Sequence, residues 1–210
     1  MKKLFILALP IYLVSCGGSS EEETTNENET PETVEACTYS YDPEATVLTW
    51  TGFKLTEKVG VSGTFDEINV TANDGAENMF DVLNGATFSI PIQSINSQEP
   101  TRDPKLRKNF FGVMTETENI TGIITNINES MGSIELMINQ VEVEYDGKVS
   151  VDGEKITWSS TIDMNHFDAG YAIDSLNNVC KERHTGEDGI SKLWTEVDIA
   201  VSTTLVKTCK

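Results

Sequence analysis

From Cys37 onward apolar and polar residues alternate with a period of two, and this pattern constrains the fold more than any other feature. Residues 86–92 (ATFSIPI) and 197–202 (VDIAVS) alternate cleanly. Residues 134–139 (IELMIN) do so with one slip at Met137, and 156–164 (ITWSSTIDM) over a longer run with Ser160 as a polar gap. Residues 47–51 (VLTWT) are β-branched and aromatic. Successive side chains on a strand point to opposite faces, so this pattern marks half-buried strands. Asp42-Pro43, Asn73-Asp74-Gly75, Asn84-Gly85, Asp146-Gly147 and Asp152-Gly153 supply turn chemistry between them. Pro91 inside a strand pattern predicts an edge, a bulge or a strand end. Strands apolar on one side satisfy either a two-sheet sandwich or a closed barrel. An eight-stranded barrel has an interior that can hold one small ligand.

In a barrel the apolar phase faces inward. The lining positions are then Leu48 and Trp50, Phe88 and Ile90, Leu136 and Ile138, Trp158 and Ile162, and Ile199 and Val201. Whether these side chains fill the interior or leave a cavity is open at this level. Two segments read as short helices. The first spans 101–111, with Asp103 as N-cap, Pro104 at N1, Leu106, Phe110 and Phe111 on one face and Gly112 as a stop. The second spans about 174–184, with Leu176, Val179, Cys180 and Arg183 at helical spacing and Gly186 after it.

Acidic residues outnumber basic ones 34 to 15, a formal charge of −19. Nucleic acid is excluded as a partner, because phosphate binding needs a basic face. Docking on an anionic lipid surface through protein charge is excluded on the same ground. Four cysteines and two histidines leave little material for a zinc cluster. Neither a metal nor a cofactor is expected. No G-x-S-x-G, P-loop or H-E-x-x-H sequence is present. These features predict a binding protein, not an enzyme.

The N-terminus carries an address. Lys2 and Lys3 precede an apolar run over 4–14, too short to span a bilayer but the right length for a secretory leader. It ends Leu13-Val14-Ser15-Cys16-Gly17, which resembles the bacterial lipoprotein signal, cut before a cysteine that receives a diacylglycerol. The expected organisation is a signal peptide over 1–15, a lipidated Cys16 with an acidic tether over 16–36, and a β-domain over 37–210. Residues 17–36 hold seven Glu, no basic residue and one large apolar residue, Val34. That composition cannot offset its own ordering entropy. The Ser19-Ser20-Glu21-Glu22-Glu23 start resembles the export signal of some surface lipoproteins of Bacteroidota; a plain spacer is the alternative. The expected location is the cell envelope, as an outer-membrane lipoprotein on its periplasmic face or the cell surface.

Several segments of the body resemble the YceI-like family of lipocalin-type, polyisoprenoid-binding proteins. They are Tyr41-Asp42-Pro43, the stretch 47–54 (VLTWTGFK), Val61-Ser62-Gly63-Thr64-Phe65, and 86–90 continuing to Ser94-Ile95. Arg102-Asp103-x-x-Leu106-x-x-x-x-Phe111 comes next, and 197–201 closes the set. The resemblance runs from about residue 38 to 207. A T-K-P-V run is missing near 146–148, and the insertion over 175–193 lies outside the pattern. The resemblance implies an all-β, eight-stranded antiparallel lipocalin-like barrel with an elongated apolar cavity and one or two short helices. It implies binding of an isoprenoid-tailed or similar amphiphilic lipid, as a carrier or sequestering lipoprotein, without catalysis. The membrane is then a partner through Cys16. The alternative is a surface β-module that recognises a protein or glycan through the insertion.

Arg102 and Asp103 either face a lipid head group or form an ion pair that pins the helix, and Leu106 belongs to the same motif. Lys54 shares the phase of Trp50 and either enters the cavity or ends a strand in solvent. In a closed up-and-down barrel the first and last strands are antiparallel neighbours. With Cys16 acylated, this favours a disulfide between Cys37 and Cys209 and leaves Cys180 on the apolar side of its helix.

Overall fold

The computed structural model describes residues 36–210. The leader over 1–15, Cys16 and the acidic stretch to residue 35 lie outside the described residues. One ten-stranded antiparallel sheet dominates. Along the chain its strands are β2 (Val47–Lys54), β3 (Val59–Phe65), β4 (Asn69–Thr71), β5 (Thr87–Pro91), β6 (Ile95–Asn96), β7 (Asn119–Ile127), β8 (Met131–Ile138), β9 (Val141–Asp152), β10 (Lys155–Asp163) and β11 (Leu193–Thr204). Their spatial order is β4-β5-β7-β8-β9-β10-β11-β2-β3-β6. The outer pairs bring the sheet back on itself. β4 continues β3 and pairs β5, while β6 continues β5 and pairs β3. Between the two ladders the Asp66 amide donates to the Ser94 carbonyl at 2.8 Å. β3–β4 and β5–β6 therefore act as two interrupted strands, and eight strands close a strongly curled barrel. The interruption comes after Pro91, where β5 ends and a 3₁₀ turn over Ile92–Ser94 begins.

A separate ribbon joins β1 (Cys37–Ser40) to β12 (Val206–Cys209). It extends β2 and β11, which are neighbours in the barrel. Cys37 lies opposite Cys209 in register, and the two form a disulfide with 4.0 Å between their Cα atoms.

Asp146-Gly147 is not the expected turn; it lies inside the long strand β9. Gly147 does not adopt a positive φ. A Cβ there would collide with the Trp158 indole, so ring clearance, not turn geometry, requires the glycine. The β8–β9 turn is made by Asn139 and Gln140 at φ 54° and 62°, without glycine. Asn139 is held there by its side chain, which accepts from the Thr115 amide and donates to the Phe167 carbonyl, both within 2.9 Å.

The first helical segment differs from its expected form. Its helix α2 (Asp103–Lys105) has Arg102 at the N-cap position, so Asp103 occupies the first turn instead. A π-helical turn over Leu106–Phe110 and a 3₁₀ turn over Phe111–Val113 come after it, and Gly112 lies within the latter. The extra residue of the π turn lets two consecutive rings, Phe110 and Phe111, pack inward edge to face, 4.7 Å apart. The second segment starts earlier than expected, as α3 (Gly170–Val179), breaks at Cys180 and resumes as α4 (Lys181–His184). A five-residue helix α1 (Met79–Leu83) carries no clear sequence signal.

Candidate functional site

The barrel interior is built by strand pairing. Trp50 on β2 faces Ile199 on β11, Leu48 faces Val201, and Val201 in turn faces Trp158 on β10. Three inward rings lie over glycines of nearby strands: Trp50 over Gly63, Phe88 over Gly122, and Trp158 over Gly147 of the adjacent β9 and Gly132 of β8 beyond it. These close approaches let large rings enter a narrow barrel. Both indoles find polar partners. Trp158 Nε1 donates to the Gly132 carbonyl at 2.8 Å and Trp50 Nε1 to the Thr64 carbonyl at 3.2 Å.

The side chains leave two cavities. The larger holds about 380 Å³, within the range of small-molecule pockets. The smaller holds about 130 Å³. They share Phe65, Ile120, Ile138, Ile162 and Ile199 as common wall, so the apolar interior is elongated with a waist. All ten expected lining positions border this space. Leu48, Phe88, Ile90, Leu136, Trp158 and Val201 line the small chamber, and Trp50 the large one. Ile138, Ile162 and Ile199 line both.

The axis can be traced along β2. Thr46 and Leu48 lie at the small chamber, Trp50 at the large one, and Lys54 at the rim. The far end carries a hydroxyl chain in which Tyr41 Oη meets Thr46 Oγ1 at 2.8 Å and Thr46 Oγ1 donates to Thr203 Oγ1 at 2.9 Å. Burial pushes the Tyr41 hydroxyl above its usual pKa. The near end is covered by both helical segments. Leu106, Phe110 and Phe111 approach from one side, Ile173, Leu176 and Cys180 from the other. The Cys180 thiol is free.

The rim of the large chamber is polar, with Lys54, Glu99, Thr101, Arg102, Lys105, Arg183 and His184. Lys54 Nζ donates to the Arg183 carbonyl at 3.1 Å, so Lys54 belongs to the cavity. Arg102 and Asp103 do not pair with each other; both grip Ser97. Arg102 Nη2 donates to the Ser97 carbonyl at 3.4 Å, and Asp103 accepts from the Ser97 amide at 2.9 Å and from its hydroxyl. Glu99 is held below the usual carboxylate range by the Thr101 hydroxyl and amide, and by Arg183 and Arg102 nearby. His184 is buried and its Nδ1 meets Asn177 Oδ1 at 2.9 Å. Burial, then the charges of Lys54 and Lys105, push its pKa down. Among the described residues no three His, Cys, Asp or Glu side chains converge where a metal ion could sit.

Sequence reasoning missed Ile120 and Ile124 on β7, because Ile123 and Ile124 are adjacent and break the alternation. It also missed Lys105 and Arg183 as rim residues, since their meeting depends on how two distant helical segments fold over one barrel end.

No curated protein matches the chain. Several solved structures share its fold. One is a polyisoprenoid binding domain from Saccharophagus degradans implicated in plant cell wall breakdown, 15% identical, with a TM-score of 0.56, covering 84% of this chain and 99% of its own. Another is BcnA from Burkholderia cenocepacia, 16% identical, with a TM-score of 0.53, covering 80% and 99%. The model of the YceI-like domain matches residues 39–205, which spans the barrel from its first strand to the end of β11, and the chain therefore belongs to the YceI-like family.

Proposed function

We propose that the protein binds an isoprenoid-tailed or similar amphiphilic lipid inside its barrel and acts as a carrier or sequestering lipoprotein of the cell envelope. The observation that carries this reading is the pair of apolar chambers that share a wall, with a hydrogen-bonded hydroxyl chain at one end and a polar rim at the other. Each buried CH₂ contributes roughly 0.8 kcal/mol, so a five-carbon isoprene unit contributes about 3–4 kcal/mol before ordering costs. Non-covalent affinity saturates near about −18 to −21 kcal/mol, so the length of the interior, not summed area, sets the preferred tail length. The Saccharophagus degradans neighbour, a polyisoprenoid binding domain, supports the same ligand class. The insertion over 175–193, the ground for a protein- or glycan-binding alternative, places Leu176, Cys180 and Leu193 on the large chamber. Part of its apolar surface is thus already used, while Val179 and Ile190 stay exposed.

Native mass spectrometry and organic extraction of the purified protein should recover a bound lipid. A ligand-free protein that takes up no added amphiphile would overturn the reading. Anchoring through Cys16 completes the proposal, and Cys16→Ser should then move the chain from the membrane fraction to the soluble one. Retention on membranes after a high-salt wash would remove the anchor from the proposal.

A further inference from the structure

Basic residues are scarce in this chain, 15 against 34 acidic ones. Four of them, Lys54, Arg102, Lys105 and Arg183, nevertheless border the large chamber, where Glu99 is the one carboxylate among the lining residues. They come from separate parts of the chain: the end of β2, the first turn region of α2, and α4. The grouping is therefore made by the fold and not by a local run of sequence.

None of the four forms an ion pair among the described residues; the two pairs present use Lys58 and Lys207. Lys54 spends one donor on the Arg183 carbonyl and Arg102 one on the Ser97 carbonyl. An ammonium has three donors and a guanidinium five, so most remain for a ligand. Like charges gathered beside an apolar cavity repel one another in a medium that screens poorly. Buried His184 stands beside this group, its pKa lowered first by burial and then by the charges of Lys54 and Lys105. A neutral head group would leave that positive charge to be offset by Glu99 alone. An anionic oxygen group would take charge-assisted hydrogen bonds from several of these donors at once.

We propose that the lipid held in this barrel carries an acidic head group, a phosphate or a carboxylate, and that Lys54, Arg102, Lys105 and Arg183 select it. This rests on the reading of the interior as a lipid cavity.

The test compares matched tails on the delipidated full chain by isothermal titration: farnesyl phosphate against farnesol, and palmitate against hexadecanol. At least one acid should bind about tenfold or more tightly than its alcohol, the size of one charge-assisted hydrogen bond. The pair that shows the larger ratio names the acid. The triple substitution Lys54→Gln, Lys105→Gln, Arg183→Gln should collapse that ratio toward one, while Lys155→Gln, away from the rim, should preserve it. Should the triple variant fail to fold, salt gives the same answer in the unsubstituted chain. The ratio should fall several-fold between about 10 mM and 1 M NaCl, over which screening shortens from about 30 to 3 Å. Equal affinity for acid and alcohol in both pairs, or a ratio that neither substitution nor salt moves, would overturn the head-group selection and leave the cavity reading standing. If no acid and no alcohol binds, the cavity reading falls and this one with it.

Discussion

The two ends of the barrel solve the same problem in opposite ways. At the far end the polar atoms beside the small chamber are consumed internally by the Tyr41–Thr46–Thr203 chain and the Trp158–Gly132 hydrogen bond. At the other end the strands give way to helical segments that bring cations to a rim without pairing them with carboxylates. One end spends its hydrogen-bonding capacity on the fold, and the other holds it in reserve. The same inward alternation of apolar residues runs through both, so the difference comes from the segments attached to the strand ends. An amphiphile entering such an interior has one favourable direction, tail toward the hydroxyl chain and head toward the cations.

The largest expected effect separates the two tryptophans. Trp158 is 4% exposed and hydrogen-bonded at the small chamber, whereas Trp50 is half-buried on the large one. Trp158→Ala should cost about 3–5 kcal/mol in urea denaturation, and Trp50→Ala clearly less, because its side already faces empty space. Equal losses would erase the contrast between the small chamber and the large one.

A smaller effect concerns the tail. Val201 points into the small chamber and Ala200 lies on the outer surface. Val201→Trp should shorten the longest tail that native mass spectrometry detects, and weaken binding of long tails by about tenfold or more, the worth of roughly two buried methylenes. Ala200→Trp should leave tail length unchanged. If Val201→Trp unfolds the protein, the small chamber is packed core and the tail stops at the waist.

The smallest effect is electrostatic. His184 has its folded pKa depressed, chiefly by burial, then by Lys54 and Lys105. Its neutral form is favoured in the folded state, so it contributes stability above the unfolded value near about 6.5, lost as pH falls through the folded value. NMR titration should place the His184 imidazole below that value, and Lys105→Gln should raise it. A titration at or above the unfolded value would show that the rim is not positive.

Many of these features are legible in the residues alone. The alternation in 156–164 places Trp158 and Ile162 on the face they occupy, and Pro91 marks the end of β5. The cysteine pair is a consequence of the neighbourhood of first and last strands. The misreadings share a cause. Asp146-Gly147 has the composition of a turn, but its glycine answers to an indole from the next strand. Asp103 has the composition of an N-cap, but its carboxylate answers to Ser97. In both cases a partner from outside the local window overrides local propensity. The rim is the extreme case, since Lys54, Lys105 and Arg183 are far apart in sequence and only the folded barrel end gathers them.

The interrupted seam between β3–β4 and β5–β6 bears on the barrel's girth. A closed barrel's circumference is fixed by strand number and stagger when every ladder is continuous. Here one ladder is reduced to two pairs at Thr64–Asn96 and Phe65–Ile95 and three pairs over Asn69–Thr71. Local opening draws on the stretches with the fewest backbone bonds and buried neighbours. Amide protons along this line should therefore exchange with solvent before those of the long β8–β9 ladder. Phe65 and Ile95 on the seam also border the large chamber, so each such opening widens that chamber while the opposite wall stays rigid. The barrel has a fixed back and a breathing front.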